Sequence, residues 1–150
     1  MNLQIRPLKM EDVPVLAQIE REIFSQPWSE TSFEDLLHYN YKLYFVAESD
    51  GVPIGCAGLS ILGSEGDIDK VMVRESCRGQ GVAYQMLQRL LDEAEKRGVT
   101  EFTLEVRTGN RAAICLYEKL GFVPEGIRPR FYDKPVEDAL IMWRRLSPIR

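Results

Sequence analysis

Cysteine, histidine and long apolar runs are scarce in this chain. Its 150 residues include three cysteines and a single histidine. The cysteines, Cys56, Cys77 and Cys115, are odd in number and form no CxxC pair, which argues against both a disulfide framework and a zinc site. No apolar run approaches the roughly 18 residues of a membrane span. We therefore expect a protein without a metal centre or a membrane partner.

An excess of positive charge is also missing. The chain has 19 lysines and arginines against 23 aspartates and glutamates, a net charge of −4. Non-specific nucleic-acid binding needs a basic surface, so we expect no direct nucleic-acid partner. The first residues, MNLQIRPLKMEDVP, lack the basic and apolar regions of a secretory signal, which predicts a cytoplasmic protein. The length predicts one domain over residues 1–150.

Three common catalytic or nucleotide-binding motifs are absent. The single histidine, His38, lies in LLHYN without a GxSxG string elsewhere, which disfavours a serine triad. The chain contains no GxxxxGK[ST] string, which disfavours a Walker-type phosphate loop. Gly79-Gln80-Gly81 begins a GxGxxG fingerprint, but Tyr84 occupies the position of the third glycine. A dinucleotide-binding fold is therefore disfavoured as well.

The hydrophobic pattern alternates between strands and helices. Strand-like runs flank Asp50-Gly51, a strong signal for an antiparallel hairpin. Helical spacing covers residues 82–98, and a further helix is expected between the cap Asn110 and Gly121. A last strand is expected in VEDALIMWRRL, after a proline-punctuated loop, GIRPRFYDKP.

The segment VMVRESCRGQGVAYQML, residues 71–87, places a glycine turn between a strand and a helix. Glycine removes side-chain bulk and a helix N-terminus presents unpaired N–H groups, so this order suggests an anion site. Two glycines can also merely form a tight turn, and the residues alone leave both interpretations open. The spacing Arg78-x-x-Gly81-x-Ala83 puts small residues where a backbone must approach a ligand, with a basic residue at the rim.

This spacing resembles the pyrophosphate-binding motif of the GNAT superfamily, the acetyl-CoA-dependent N-acetyltransferases. The resemblance implies that acetyl-CoA is the cofactor and that the loop amides bind the pyrophosphate of coenzyme A. The strand before the turn matches the one whose backbone pairs with the pantetheine arm. The implied cofactor-binding residues are Val71, Met72, Val73, Arg78, Gly79, Gln80, Gly81, Val82, Ala83, Tyr84 and Asn110.

Three further strings are similar to the RimI type of this superfamily: FSQPWSETSF, LEVRTGNRAAICLYEKLGF and EDALIMWRRL. Enzymes of this type acetylate the N-terminal alanine of a small-subunit ribosomal protein, which is thereby the implied partner. The resemblance implies an α/β (α+β) fold with a mixed, mostly antiparallel central sheet, splayed where the cofactor enters and flanked by helices. Two departures stand out. Lys70 replaces a small or amide residue, and Phe131-Tyr132 replaces a pair of tyrosines.

Acetyl transfer from a thioester to an amine needs a neutral amine, a stabilised oxyanion and a proton for the leaving thiolate. The resemblance assigns Glu105 as the general base, Tyr117 as the general acid and the backbone amide of Val73 as the oxyanion donor. Leu104 and Val106 flank Glu105 in a strand, so its side chain is expected to face opposite to theirs. From the residues alone, a solvated carboxylate and a core tyrosine remain the alternatives.

The same resemblance places the acceptor groove between the first helices and the last hairpin. Trp28, Arg130, Phe131 and Tyr132 are therefore expected to bind the substrate. The acidic net charge favours a basic peptide. Acetylation of small amines or of broader protein N-termini, and a non-catalytic acyl-CoA-binding module, remain as alternatives, and the oligomeric state stays open.

Overall fold

The computed structural model describes residues 2–146, which form a seven-stranded sheet with helices on both faces. This confirms the mixed α/β architecture expected from the sequence. No helix within these residues is long and apolar enough to cross a membrane. The strands are β1 (Leu3–Pro7), β2 (Lys42–Ser49), β3 (Val52–Leu62), β4 (Glu65–Val73), β5 (Glu101–Arg107), β6 (Val123–Tyr132) and β7 (Glu137–Arg145). The helices are α1 (Val13–Ile23), α2 (Glu30–Leu36), α3 (Val82–Lys96) and α4 (Arg111–Lys119), with 3-10 turns at Met10–Asp12 and Glu75–Cys77.

The sheet is antiparallel except at its centre. Its strand order is β1-β2-β3-β4-β5-β7-β6, and β4 and β5 are the parallel neighbours. Their pairing covers three positions and ends at Asp67 and Thr103. Beyond this point the two strands separate, so the remainder of β4 has β3 on one side and a gap on the other. The splay expected from the sequence is confirmed.

Local sequence signals explain several element ends. Asp50 and Gly51 both have positive φ, 52° and 84°, which suits the tight hairpin between β2 and β3. Ser29 caps α2 by accepting a hydrogen bond from the Ser32 amide at 3.2 Å, and Asn110 caps α4 in the same way. Gly98, with φ 95°, follows the end of α3.

Each face of the sheet carries its own apolar cluster. On one face, α3 and the buried side of β5 pack together, with Met86, Leu90 and Phe102 fully buried. On the other face, α1 and α2 cover β2, β3 and β4, with Leu16 and Phe33 at the centre. The gap between β4 and β5 therefore opens between two layers of helix.

The prediction of a proline-punctuated loop at GIRPRFYDKP is wrong for the first seven residues, 126–132, because they belong to strand β6. Two features let prolines enter this strand. β6 lies at the edge of the sheet, where a missing N–H breaks no central ladder. Its register with β7 also shifts between Pro124 and Gly126, and again between Arg128 and Tyr132, and Arg130 in the second shift has a φ of 51°.

Candidate active site

The glycine turn before α3 leaves its helix N-terminus open. Gly81 is the N-cap, with a φ of 78°, and it supplies no side-chain acceptor to the amides of the first turn. Gly79 has a φ of 76°, and no atom lies within 4 Å of the Cβ that a larger residue would add there. Val82 points its side chain into the core, so only its backbone faces the turn. This arrangement fits an anion held by backbone N–H groups.

The gap beside β4 exposes main-chain groups of two valines. Gly55 and Val73 face each other, and the Arg74 amide donates to the Ile54 carbonyl at 2.7 Å. Such a pattern makes Gly55 and Val73 a non-hydrogen-bonded pair, so the N–H and C=O of Val73 point away from β3 and into the gap. By the same alternation Val71 points its main-chain groups there, whereas Met72 pairs with Cys56. The Val73 carbonyl accepts a hydrogen bond from Arg78 Nε at 3.0 Å, and its N–H faces the open side.

A cavity of about 370 Å³ lies on the α1–α2 side of the sheet, where β4 and β5 separate. It brings together segments that are far apart in the chain, and it joins the predicted base to three of the four predicted substrate residues. The residues that line it are Trp28, Lys42, Asp67, Ile68, Asp69, Glu105, Phe131 and Tyr132.

Glu105 reaches this cavity because of the alternation of β5. Leu104 and Val106 are buried against the α3 face, and Glu105 projects to the opposite face, as predicted. Its side chain is 26% exposed, and the Arg128 guanidinium lies 3.7 Å from one carboxylate oxygen. Glu105 is therefore accessible enough to take a proton from a bound amine, with one exposed cation nearby.

Asp69 is held by three donors at a bulge of β4. The register with β3 shifts so that Asp69 stands between the paired residues Ile68 and Lys70. Its Oδ2 accepts hydrogen bonds from Lys42 Nζ at 3.0 Å, from Ser60 Oγ at 2.8 Å and from the Tyr44 hydroxyl at 3.2 Å. Burial and the nearby Asp69 raise the pKa of Tyr44, which keeps that hydroxyl a donor. The charge of Asp69 is thus compensated within the cavity wall.

Asp67 is a carboxylate of a different kind. No side-chain hydrogen bond to it occurs within residues 2–146, although it shares the cavity with Glu105. Burial and then the charge of Glu105 raise the pKa of Asp67 from 3.8 to about 6. The cavity lining consequently holds three carboxylates, Asp67, Asp69 and Glu105, against the one cation Lys42, and this excess favours a cationic occupant.

Tyr132 and Tyr117 connect the cavity to α4. Burial and then Glu105 raise the pKa of Tyr132 to about 12. Burial and then Tyr132 raise the pKa of Tyr117 to about 12 as well. Tyr117 packs edge-on against Phe122 at 6.0 Å between ring centroids, and within the described residues its hydroxyl has no hydrogen-bond partner. Both phenols remain protonated at neutral pH and can donate a proton.

The site differs from the sequence prediction in a few places. Arg130 does not line the cavity; its amide donates to Asp138 Oδ1 at 2.9 Å in the irregular part of β6. Asn110 uses its side-chain oxygen to accept from the Ala113 amide, so its predicted contact with the cofactor stays a prediction. Lys42 and the two aspartates were missed as cavity residues, because GDIDK gave only a strand pattern and the hairpin partner of Lys42 cannot be read from spacing.

The loops that flank the cavity touch each other beside it. Ser25 Oγ, in the loop after α1, donates to the Lys134 carbonyl in the turn after β6 at 3.3 Å. Trp28 comes shortly after Ser25 in the chain, and Tyr132 comes shortly before Lys134. The structure therefore has a cavity between the first helices and the last hairpin, where the acceptor groove is predicted, and its role stays a prediction.

Comparisons with known proteins agree with this geometry. The model of the acetyltransferase (GNAT) family matches residues 13–122. The chain is 36% identical over 140 residues to the [ribosomal protein bS18]-alanine N-acetyltransferase of Escherichia coli (strain K12), covering 92% of this chain and 94% of that protein. It is 35% identical over 146 residues to N-alpha-acetyltransferase RimI of Mycobacterium tuberculosis, with coverages of 93% and 90%. The crystal structure of the ribosomal-protein-S18-alanine N-acetyltransferase from Escherichia coli superposes with a TM-score of 0.89 at 34% identity, covering 99% of this chain and 96% of that chain. The chain therefore belongs to the GNAT family of acetyltransferases.

Proposed function

We propose that this protein transfers the acetyl group of acetyl-CoA to the N-terminal alanine of a small-subunit ribosomal protein. GNAT acetyltransferases use acetyl-CoA, and several relatives, the Escherichia coli protein among them, are named for the alanine of ribosomal protein bS18. The observation that carries the proposal is the cavity at the splay, which joins Glu105 to Trp28 from the loop after α1 and to Phe131 and Tyr132 from the end of β6. The proposal covers the whole chain, residues 1–150, as one catalytic domain.

The residues present fit coenzyme A. The glycine turn offers an uncapped helix N-terminus for the pyrophosphate, and the main-chain groups of Val71 and Val73 face the gap in which the pantetheine arm would pair. When bound, acetyl-CoA supplies an activated acyl group. The other cofactor contacts proposed from the sequence motif are Met72, Arg78, Gly79, Gln80, Val82, Ala83, Tyr84 and Asn110.

Three groups of this chain divide the chemistry among them. Glu105 accepts a proton from the amine, directly or through a water molecule. The N–H of Val73 points into the gap and stabilises negative charge on the carbonyl oxygen during transfer. The protonated Tyr117 hydroxyl donates a proton to the leaving sulfur. Trp28, Phe131 and Tyr132 hold the acceptor end, and Arg130 is a candidate contact at the outer part of the same hairpin.

The pKa of the acceptor amine favours a chain terminus over a lysine side chain as the substrate. An α-amino group has a pKa of about 7.7 to 8.0, whereas a lysine side chain has one of about 10.4. At neutral pH roughly a tenth of the α-amine is already neutral, but well under a thousandth of the lysine. A carboxylate such as Glu105 completes the deprotonation far more readily for a chain terminus than for a side chain.

The test is a competition among acceptors. The protein is incubated with labelled acetyl-CoA and a peptide that begins Ala-Arg, beside the same peptide with a blocked N-terminus and an internal lysine, and beside a polyamine. We expect label on the free alanine, located by mass spectrometry. Label confined to the lysine peptide or to the polyamine would contradict the ribosomal assignment.

A small cationic amine is a second candidate acceptor, favoured by one observation. Among the described residues Asp67 has no ion-pair partner and Glu105 has one, the exposed Arg128 at 3.7 Å, so these cavity carboxylates attract a compact cation as well as a chain terminus. The polyamine arm of the competition decides between them. Cofactor binding without transfer to any acceptor would instead favour the non-catalytic acyl-CoA-binding module.

A further inference from the structure

Lys70 is a buried cation directly behind the acceptor cavity. Its side chain is 8% exposed, and its Nζ lies 2.5 Å from Glu20 Oε2, a carboxylate that is 1% exposed. Its ammonium also lies over two aromatic rings, 4.0 Å from the centroid of Trp28 and 4.6 Å from that of Phe24. Such a cation is stabilised by its carboxylate partner and by the negative faces of the rings.

Glu20 uses its two oxygens for two different tasks. Oε2 binds the Lys70 ammonium, and Oε1 accepts the backbone N–H of Trp28 at 3.1 Å. Because Glu20 lies within α1 and Lys70 within β4, both partners sit on regular elements. The pair therefore contacts Trp28 at two points from regular elements: Glu20 accepts its amide N–H, and the Lys70 ammonium lies over its ring.

The segment that carries Trp28 has little other order of its own. Residues 24–29 between α1 and α2 adopt no helix or strand. The Trp28 ring also packs against Phe33 and Tyr44, with ring centroids 5.3 Å and 6.4 Å away. The polar contacts of Trp28 within residues 2–146 are those with Glu20 and Lys70, and Trp28 also lines the cavity.

We propose that the Glu20–Lys70 ion pair positions Trp28 as the wall of the acceptor site. Lys70 is a positioning residue: it does not touch the substrate but fixes the ring that does. This inference rests on the proposed function for the assignment of the cavity to the acceptor. It explains why a charged residue occupies a strand position where the superfamily has a small or amide residue, since a shorter side chain would leave the Trp28 ring and the Glu20 carboxylate without this partner.

A purely structural role makes a different prediction. Removing one partner of a buried ion pair destabilises a fold by leaving the other charge unpaired, whatever the pair does for function. The replacement E20Q/K70M avoids this, because it removes both charges while the side-chain carbonyl that E20Q introduces can still accept the Trp28 N–H. A loss of stability alone would lower the apparent kcat through the amount of folded enzyme and leave both KM values unchanged, whereas misplacement of Trp28 raises KM for the peptide selectively.

The first measurement follows Trp28 without any turnover. The chain has two tryptophans, so W143F leaves Trp28 as the single fluorophore. In this background we expect E20Q/K70M to shift the emission of Trp28 to longer wavelength and to raise its quenching by acrylamide. Unchanged emission and quenching in a folded variant would overturn the proposal. Circular dichroism establishes that the variants are folded.

The second measurement is a double-mutant cycle on peptide kinetics. We expect E20Q/K70M to raise KM for the alanine peptide roughly tenfold, as small displacements of positioning groups do, with KM for acetyl-CoA unchanged. W28A should raise it by a similar factor, and E20Q/K70M should add little in the W28A background, since Lys70 acts through that ring. Additive effects, or an equal rise of both KM values, would contradict a positioning role.

The exposed pair Glu93–Arg97, 3.6 Å apart on α3, serves as a matched control. E93Q/R97M removes the same charges far from the cavity and should leave the fluorescence and both KM values unchanged. K70R should retain much of the wild-type KM, because a guanidinium can keep the ion pair and the ring contact. If the wild type acetylates no peptide, the proposed function fails, but the fluorescence experiment still decides whether the pair fixes Trp28.

Discussion

The glycine turn and the acceptor cavity lie at the two ends of the same gap, but they are built in opposite ways. The turn is one continuous segment that works through backbone: positive φ at Gly79 and Gly81, and free N–H groups at the start of α3. The cavity is lined by side chains from a loop and four strands, and it carries charge of both signs. A backbone site depends on conformation, whereas a side-chain site depends on the identity of each residue.

This difference teaches where specificity resides. Backbone N–H groups recognise a phosphate whatever it is attached to, so under the proposed function the turn defines the cofactor class. Under the same proposal the acceptor is distinguished by the carboxylates and rings of the cavity, which sequence changes can alter without disturbing the turn. Variants on the two sides should therefore separate kinetically, cofactor parameters from peptide parameters.

The largest effect is expected for E105Q. Loss of a general base lowers the rate by roughly 10² to 10⁴. The measurement is kcat/KM for the alanine peptide, with acetyl-CoA binding measured separately and expected to be unchanged. E101Q, on the same strand and face but paired with Arg145, is the control and should retain activity. Equal activity of E105Q and the wild type near neutral pH would remove Glu105 from the mechanism.

Y117F should give the next largest loss. Removing the acid is expected to lower kcat by about 10²-fold, at the lower end of the usual range for acid–base groups. Since the pKa of Tyr117 is raised to about 12, the hydroxyl stays protonated throughout the neutral and mildly alkaline range. The wild-type kcat should therefore show no decline from deprotonation of Tyr117 in the neutral and mildly alkaline range. Y39F, at an exposed ring outside the cavity, is the control.

G81V tests whether the glycine turn binds the cofactor. A β-branched residue at a φ of 78° is strained and adds bulk at the mouth of the helix, so KM for acetyl-CoA should rise about tenfold or more. KM for the peptide should change little. The control G98A introduces a side chain at another positive φ, 95°, beyond the far end of α3. If G98A raises KM for acetyl-CoA as much as G81V, strain rather than contact explains the result.

The smallest effect is expected for D67N, and it concerns stability. In the folded protein the pKa of Asp67 is raised from 3.8 to about 6, so the folded state binds this proton more tightly than the unfolded chain. The contribution of Asp67 to stability therefore falls as pH rises through that interval. D67N should raise the melting temperature above pH 6 and leave it unchanged below pH 3.8. The exposed D92N is the control, and an equal gain at both pH values would contradict this origin.

Much of the fold could be predicted because its signals are local. Asp50-Gly51 predicted a hairpin, and Asn110 predicted a cap, from neighbouring residues alone. Strand β6 was missed because Pro129 reads as a loop signal, and only the edge position in the sheet explains why a strand tolerates it. Edge position is a property of the whole topology, which local spacing does not contain.

The same distinction between local signals and topology separates the site residues that could be predicted from those that could not. The glycine turn was recognisable because its function lies in one stretch of backbone, and the face of Glu105 followed from strand alternation. Lys42 and Asp67 could not be predicted as neighbours of Glu105, since all three come together only after the four strands β2 to β5 have paired. Lys70 was visible as a departure, but its partner Glu20 lies 50 residues away in α1.

The short parallel pairing of β4 and β5 has a thermodynamic consequence for the free chain. Beyond Asp67 the inner edge of β4 has main-chain groups that no strand within residues 2–146 satisfies, so part of the potential stability of the sheet is left unrealised. A ligand that pairs with this edge binds the folded state alone, and it raises the free energy of unfolding by about 2.7 kcal/mol at a hundred times its Kd. The melting temperature of this protein should accordingly report the concentration of its cofactor.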